Sequence, residues 1–401
     1  MVVTQHSFQR SRKRIYRIAL FTSDMDNYGE QAVQEIVRSA RQRGNCSIAM
    51  AIFDEVSEQD VAAGLTDGII IDNWKNHANL LEICRNMRVP VVDISGDGDL
   101  SDIGIIAPDD RLVGTRAAEY FISRGFRHYA FYGLPYAIRT VWGENRKVGF
   151  SETLREAGYE CAVFESAATA WDQLHQKVHL QALEHWLVNL PRPVGIFTCI
   201  DKFAYEILHL ARKKHIRVPG EFAVCAVDNR VWICLLANPT ISSIPLDGRK
   251  VGMEAIDMLM RMMKSGKLMT PARLVEPLPI IHRESTDTYA FPDADVVGAL
   301  NFIRENAHKP ISIEDILDHL VVSRRSLEMR FKELTGVTLQ NQIWFAHVEL
   351  SKKLLLETAQ PMYKICENSG FSSAAVFNVV FRRFVGTTPT TFRRRTREPA
   401  P

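Results

Sequence analysis

The sequence predicts two α/β lobes built on open parallel sheets, followed by a smaller all-helical domain. Three observations carry that prediction. From Tyr16 to about Ile281, short apolar runs rich in β-branched residues alternate with amphipathic stretches of helical length. Beyond a polar stretch at 283–295, apolar residues recur instead at helical spacing. The chain has 401 residues, which suggests two or three domains at roughly 100–200 residues each.

The expected strands are residues 17–21, 47–53, 68–71, 89–93, 128–132, 194–199 and 222–227. The expected helices between them are 31–43, 79–87, 112–124, 171–190 and 203–214. Continuous apolar strands, each followed by a helix, are the mark of a parallel sheet covered on both faces. This region of about 265 residues is longer than one such sheet needs, so two similar lobes are expected. After Asn238 come a Pro/Ser stretch, a long helix over 246–264, a proline-rich segment at 271–279 and a last strand near 278–281.

Residues 283–295 (RESTDTYAFPDAD) read as a linker. Helical spacing follows in 296–307, 313–320, 325–334, 339–356, 362–368 and 374–385. The resulting division is an α/β domain over 15–284, a linker over 285–295 and a helical domain over 296–397. Charge follows the same division. The whole chain carries a formal +2, whereas residues 290–401 hold 15 Lys+Arg against 12 Asp+Glu. Residues 381–397 contain six arginines and no acid. Such a run is either a solvated face or a grip on phosphates.

Composition narrows the function classes. Hydrophobic residues are 46% and charged residues 24% of the chain, ordinary values for a folded soluble protein. No apolar run approaches the ~18 residues of a membrane span. The basic N-terminus is not followed by the apolar core of a secretory signal, so a cytoplasmic protein with no membrane partner is expected. Seven cysteines without a CxxC pair fit free thiols and argue against a zinc site. The sequence has no G-x-S-x-G, Walker or H-E-x-x-H element. No catalytic set, metal site or cofactor is expected, and an enzyme is the least favoured reading.

The helical domain contains two units with one internal logic. In the first, Ser312 caps a helix with acids in its first turn, and Ser323 caps a second helix after a short turn. In the second, Gly370 ends a helix and Ser372 or Ser373 caps the next. Helix pairs joined this way form helix-turn-helix units, whose second helix enters the major groove.

Phe331-Lys332-Glu333-Leu334-Thr335-Gly336-Val337-Thr338, Gly370-Phe371, Phe377, Phe381-Arg382-Arg383, Gly386-Thr387-Thr388-Pro389 and Phe392-Arg393 resemble the AraC/XylS family of transcription regulators over about 100 residues. The resemblance implies two recognition helices in adjacent major grooves. It places Ser323, Arg325, Glu328 and Met329 of the first at the DNA. Arg325 would reach guanine, Glu328 cytosine N4 and Met329 a thymine methyl. Pairing of Glu328 with a neighbouring arginine is the equal alternative. In the second helix, Ala374, Ala375, Val376 and Val379 stand where the family has longer polar or aromatic residues. Ser373, Asn378, Arg382 and Arg383 would there serve to position the domain, the last three on phosphates. His347 and Ser351 replace the usual Arg and Ala of the linking helix.

In the α/β region, polar residues follow the strands, where open α/β sheets bind ligands. Asp72-Asn73-Trp74 follow 68–71, Asp201 follows 194–199, Asp228-Asn229 follow 222–227, and Tyr28 lies after the first strand. An Asp in such a place can instead cap a helix. Thr66-Asp67-Gly68-Ile69-Ile70, Arg146-Lys147-Val148-Gly149-Phe150, Asp201 and Val227-Asp228-Asn229 resemble the periplasmic-binding-like sensor of LacI/GalR repressors. The resemblance implies sugar contacts by Arg146, Asp201 and Asp228. Tyr28, Trp74, Trp142 and Trp232 are candidates for the apolar face of a pyranose. The ligand set is therefore Tyr28, Asp72, Trp142, Arg146, Asp201, Asp228 and Asn229.

The order of the two parts, with 128–135, 227–229 and 283–287, is similar to the group of xylose operon regulators. The departures lie at 23–30 and 72–77, both bordering the ligand. The architecture implied is an α/β two-lobed periplasmic-binding-like sensor followed by an all-α AraC-type domain with two helix-turn-helix units. The function implied is a sugar-responsive regulator, more often an activator. Its implied partners are an operator in double-stranded DNA, a monosaccharide effector, a second copy of the chain and RNA polymerase. A constitutive DNA-binding protein whose α/β domain only dimerises, or takes a non-sugar effector, remains the alternative.

Overall fold

A computed structural model of the protein describes residues 14–22, 27–51, 56–72, 78–96, 103–135, 140–164, 168, 170, 173, 176–266 and 272–397. The described residues form two compact units. One runs to Glu119 and resumes over His128–Asp287; the other comprises Tyr120–Arg127 and the chain from Thr288.

The first unit begins with β1 (Tyr16–Phe21), α1 (Asn27–Arg43), β2 (Cys46–Met50), α2 (Glu58–Ala62), β3 (Gly68–Ile71), α3 (Ala78–Met87), β4 (Val91–Asp93), β5 (Gly104–Pro108) and α4 (Asp110–Ile122). It continues with β6 (His128–Tyr132), α5 (Val141–Glu156), β7 (Cys161–Phe164), α6 (Lys177–Val188), β8 (Val194–Thr198), α7 (Asp201–Lys213), β9 (Phe222–Val227), α8 (Val231–Leu236), β10 (Ser242–Ile244), α9 (Gly248–Ser265) and β11 (Arg273–Val275).

Two all-parallel sheets result, of order β11-β5-β4-β3-β1-β2 and β10-β9-β8-β6-β7. Strands β3, β8 and β9 are buried at every residue, which is why they are continuous apolar runs. Strand order reverses beside β1 in the first sheet and beside β6 in the second. The carboxyl ends next to a reversal are where open sheets leave a crevice. The chain passes between lobes three times: from β5 through α4 to β6, from β10 into α9, and from β11 to Ile281, which bridges Ser243. Helix α9 returns to α1 in close contact. A Cβ on Gly252 would lie 2.3 Å from the Ala32 carbonyl oxygen.

Strands β5, β7, β10 and β11 go beyond the sequence expectation. They are short, and β10 (SSI) and β11 (RLV) are not apolar runs. Buried Ser242 and Ser243 are tolerated because each hydroxyl is hydrogen bonded. The strand expected near 278–281 is only the bridge at Ile281. Helix α6 starts at Lys177, and most of 171–175 lies outside the described residues. The expected linker also begins too early. Ser285 and Thr286 are fully buried in a 3-10 turn, and the Ser285 hydroxyl donates to the Val224 carbonyl at 2.6 Å. The first unit thus holds the chain as far as Asp287.

The second unit contains α10 (Ala294–Glu305), α11 (Ile313–Leu320), α12 (Arg324–Thr335), α13 (Leu339–Glu357), α14 (Met362–Asn368), α15 (Ala374–Val385) and α16 (Pro389–Arg397). One core gathers Leu300, Ile316, Leu327 and Phe331; another gathers Leu355, Ile365, Phe377 and Phe381. Ser312 and Asp315 form a reciprocal capping box, and Val321 turns the chain at φ +56°. Ser373 caps α15 by accepting from Val376 N–H. Ser323 occupies the N-cap of α12, but its side chain makes no cap hydrogen bond, contrary to expectation. Gly370 must be glycine: its φ is +78°, and a Cβ there would lie 2.6 Å from the carbonyl oxygens of both Ala307 and Lys309.

Candidate functional site

The candidate ligand site is built around Arg146. Helix α5 starts at its Thr140 cap and presents Arg146 inward, 4% exposed. Its Nε donates to Asp110 Oδ1 at 2.7 Å and its Nη1 to the Cys199 carbonyl at 2.6 Å. Asp228 Oδ1 lies 3.7 Å from Nη1, and the guanidinium sits 4.6 Å from the centre of the Trp142 ring. Burial by itself would lower the Arg146 pKa, but Asp110 and Asp228 hold it above its ordinary value. A fixed fork of donors, carboxylate acceptors and an aromatic face therefore meet at the carboxyl ends of β8 and β9. Such a set can bind vicinal hydroxyls and cover an apolar ring face.

Asp228 and Asn229 take positive φ, +95° and +50°, a conformation that costs energy in residues other than glycine. Neighbouring bonds hold it. The Asp228 N–H donates to the Ile244 carbonyl, and the Asn229 N–H to Ser243 Oγ at 3.0 Å. Arg283 Nη2 donates to Asn229 Oδ1 at 2.7 Å.

Asp201 is held within the protein. It is 1% exposed, and both carboxylate oxygens are engaged inside the protein. Oδ1 accepts from Ser243 Oγ at 2.6 Å and Oδ2 from the Arg230 N–H at 2.5 Å. Burial pushes its pKa up to about 6, against the lowering effect of those hydrogen bonds. Asp201 thus braces the Asp228–Arg230 turn from behind, through Ser243 and the Arg230 N–H.

Tyr28 is buried in the first lobe, and its hydroxyl donates to the Ile94 carbonyl at 2.6 Å. Asp72 lies half-buried just past β3, its N–H bonded to the Phe21 carbonyl. Both lie at the carboxyl ends of the first sheet. Asn73 and Trp74 fall outside the described residues. Trp232 is 67% exposed on α8. Sequence reasoning missed Asp110, although Ile103–Ala107 followed by Pro-Asp-Asp repeats the strand-then-carboxylate form. It also missed Ser243 and Arg283, whose roles depend on contacts distant in sequence. Among the described residues no cluster of His, Cys, Asp or Glu could hold a metal, and no helix is long and apolar enough to cross a membrane.

In the helical unit the first recognition helix, α12, exposes Ser323, Arg325 and Met329, the last at 63%. Arg325, Glu328, Met329 and Lys332 line a concavity of about 550 Å³ with Thr338 and Gln340. Glu328 accepts from Arg324 Nε at 3.1 Å, and Arg324 Nη1 also reaches Glu314 at 2.6 Å. The ion-pair alternative for Glu328 is therefore the one realised in this structure. On α15, Ala374, Ala375, Val376, Asn378, Val379, Arg382 and Arg383 are exposed on one face. Two of them are partly committed within the chain. The Asn378 amide donates to the Ala374 carbonyl at 2.8 Å, and Arg383 lies 5.6 Å from the Trp344 ring centre.

His347 and Ser351 are accommodated in the core of α13, 3% and 0% exposed. Ser351 Oγ donates to the His347 carbonyl, and the His347 ring meets Phe371 edge-on at 5.3 Å. Burial pushes the His347 pKa down to about 4, opposed by the nearby Lys309 carbonyl. The folded unit thus keeps His347 neutral, while the unfolded chain takes up a proton below about pH 6.5. The unfolded state binds more protons between those values, so stability falls as pH drops from about 6.5 towards 4. The full effect is about 3 kcal/mol. His347→Phe should flatten this slope for the helical unit in urea unfolding at a series of pH values; an unchanged slope would contradict the assignment.

Two parallel-sheet lobes with a polar site at their strand ends, joined in one chain to a pair of helix-turn-helix units, define a ligand-sensing transcription regulator. Known families agree. Residues 118–286 match the periplasmic binding protein-like domain and residues 316–395 a helix-turn-helix domain of AraC type. The Xylose operon regulatory protein of Escherichia coli strain K12 is 30% identical over 336 residues, covering 82% of this chain and 84% of that protein. Its counterpart in Haemophilus influenzae is 28% identical, covering 95% and 99%. A solved structure of the xylose-binding transcription activator xylR superposes with a TM-score of 0.58 at 26% identity, covering 96% and 99%. The chain belongs to the family of xylose operon regulatory proteins.

Proposed function

We propose that the protein is a sugar-responsive activator of carbohydrate-utilisation genes, with a monosaccharide such as xylose as its effector. The observation that carries this reading is Arg146, buried beside Asp110 and Asp228 under the Trp142 ring. Arg146, Asp228 and Trp142 contact the sugar from the second lobe, with Asn229 flanking them. Tyr28 and Asp72 border it from the first. Closure of the lobes by hinge motion around the ligand changes the placement of the DNA-binding units in a homodimer. Arg325 and Met329 read base edges, while Arg382 and Arg383 grip phosphates. The protein works in the cytoplasm on double-stranded operator DNA, with RNA polymerase as the target of activation. The xylose regulators among its relatives support the sugar and the sign of regulation.

Thermal unfolding of the full chain against pentoses, hexoses and sugar acids tests this. An effector at 100 times its Kd adds roughly 2.7 kcal/mol to the unit it binds, a shift of several degrees at this size. The same sugar should change DNA affinity by roughly 5–150-fold. No shift with any sugar would favour a constitutive DNA-binding protein or a non-sugar effector.

A further inference from the structure

The segment 281–287 closes the first unit and is fastened to the second lobe before the chain leaves at Asp287. The Arg283 N–H donates to Ser242 Oγ at 2.7 Å, and the Ser242 N–H donates to Ser285 Oγ at 2.9 Å. Ser285 Oγ donates in turn to the Val224 carbonyl. Thr240 donates both its N–H and its hydroxyl to Glu284 Oε2. Ser242, Ser285 and Thr286 are fully buried. These contacts hold the backbone of the segment against β9 and β10. They account for a well-fixed end to the unit, but not for the direction taken by the Arg283 side chain.

That side chain points back to the candidate ligand site. Its Nη1 donates to the Ile241 carbonyl and its Nη2 to Asn229 Oδ1, each at 2.7 Å. Asn229 follows Asp228, and both take positive φ. Residues held in such a conformation persist only where their surroundings over-determine them. Arg283 is one of the groups that do so here, with Ser243 on the Asn229 N–H and Asp201 on the Arg230 N–H. A planar guanidinium gripped at both terminal nitrogens cannot follow one acceptor without disturbing its bond to the other. A displacement of Asn229 is therefore felt at the backbone of 283 and at the 3-10 turn Glu284–Thr286 that follows. Asp287 comes directly after that turn.

We propose that Arg283 is a positioning residue that couples the ligand site to DNA affinity: its fork ties the Asp228–Asn229 turn to the segment on which the chain leaves the sensor for the DNA-binding unit. This rests on the reading that a sugar binds at Arg146 and Asp228. A ligand shifts an equilibrium only through contacts that differ between the two states. A sugar seated on Asp228, with Asn229 flanking it, favours one arrangement of the strained turn. Arg283 passes that arrangement through a single side chain to residues 283–286. By linkage, DNA binding that favours the same arrangement raises sugar affinity by the same factor. Without the fork the sugar still meets Arg146, Asp228 and Trp142, but the outgoing segment no longer senses it.

The experiment uses the full chain. The sugar is whichever of xylose, arabinose, ribose, glucose and galactose the wild type binds in calorimetry. The DNA is a fragment selected by the wild type with that sugar from a random-sequence pool. DNA affinity is measured without sugar and at saturation. Saturating sugar should change wild-type affinity by roughly 5–150-fold. Arg283→Lys keeps the charge but not the fork. It should bind the sugar roughly tenfold more weakly, yet at its own saturation the change in DNA affinity should vanish. An arginine that only stabilises the fold would alter sugar affinity or Tm and leave the saturated ratio at its wild-type value, which would overturn the proposal. Hydrogen exchange of the wild type gives a second measurement. The amides of Ser285, Thr286 and Asp287, bonded to the carbonyls of Thr240, Arg283 and Glu284, should exchange more slowly with sugar bound. Unchanged exchange there would also overturn the proposal, whether or not Arg283→Lys folds. A wild type that binds a sugar with no change in DNA affinity would sink the coupling and leave sugar binding standing. A wild type that binds none of these sugars would instead overturn the sugar-sensor reading, and this proposal with it.

Discussion

Arg146→Met is expected to abolish the response to sugar and to destabilise the sensor unit by about 3–5 kcal/mol, the range for removing one partner from a buried ion pair. Met fills a similar volume but supplies no donors. Asp110 and the Cys199 carbonyl lose their hydrogen bonds, and Asp228 loses the cation beside it. The buried carboxylates thus lose the cation they share. Calorimetry of the full chain should show the sensor transition lowered while the transition of the helical unit stays in place. A sugar that shifts the wild type should shift the variant not at all. The double variant Arg146→Met, Asp110→Asn should recover part of the stability, since the two side chains are in contact and their effects are coupled. Recovery of stability without recovery of binding would separate the structural part of Arg146 from its ligand part. A single variant as stable as the wild type would show that the ion pair is not formed in solution.

Gly149→Ala should be nearly as damaging although it adds one methyl group. A Cβ on Gly149 would lie 2.0 Å from the carbonyl oxygen of Arg111 on α4, and one on Gly114 would lie 2.1 Å from that of Arg146 on α5. The two helices cross with their backbones in contact at these glycines. A carbonyl cannot rotate aside as a side chain can, so α4 and α5 must separate. Overpacking of this kind costs about 3 kcal/mol at the upper end of its usual range, or roughly 6–12 °C in Tm for a unit of this size. Separation also pulls Asp110 away from Arg146, because Arg146 lies one turn before Gly149. Sugar affinity should therefore fall by more than the loss of stability explains. Gly220→Ala is the control: its nearest neighbour would be a side-chain carbon at 3.7 Å, and it should change Tm little. Equal Tm values for the two variants would rule out the close helix crossing.

Much of this molecule was legible in its residues. Runs such as 68–71 and 222–227 announced buried parallel strands, and Ser312, Gly370 and Ser373 announced the ends of helices. These signals are local, set by side-chain period and by capping groups within a few positions. Short strands were harder to see. β10 is Ser-Ser-Ile, and its burial depends on hydrogen bonds to the Arg283 carbonyl and to Asp201, about 41 residues away. The same residues explain why 285–286 belong to the sensor, although their polar composition reads as linker.

The site divides along the same line. Its strand-end carboxylates and Arg146 could be picked from sequence, because parallel sheets place strand ends and helix starts together. Their division of labour could not. Asp201 and Asp228 both follow a strand, yet one is consumed by Ser243 and the Arg230 N–H while the other lies beside Arg146. By itself the sequence determined the two-part architecture, the two helix-turn-helix units and the residue types at the strand ends, since periodicity and capping need only near neighbours. Only the tertiary structure decided that Asp110 meets Arg146 across 36 positions. That meeting requires α4 and α5 to touch at Gly114 and Gly149, and a contact between two helices is a property of their packing, which neither helix's own sequence pattern records.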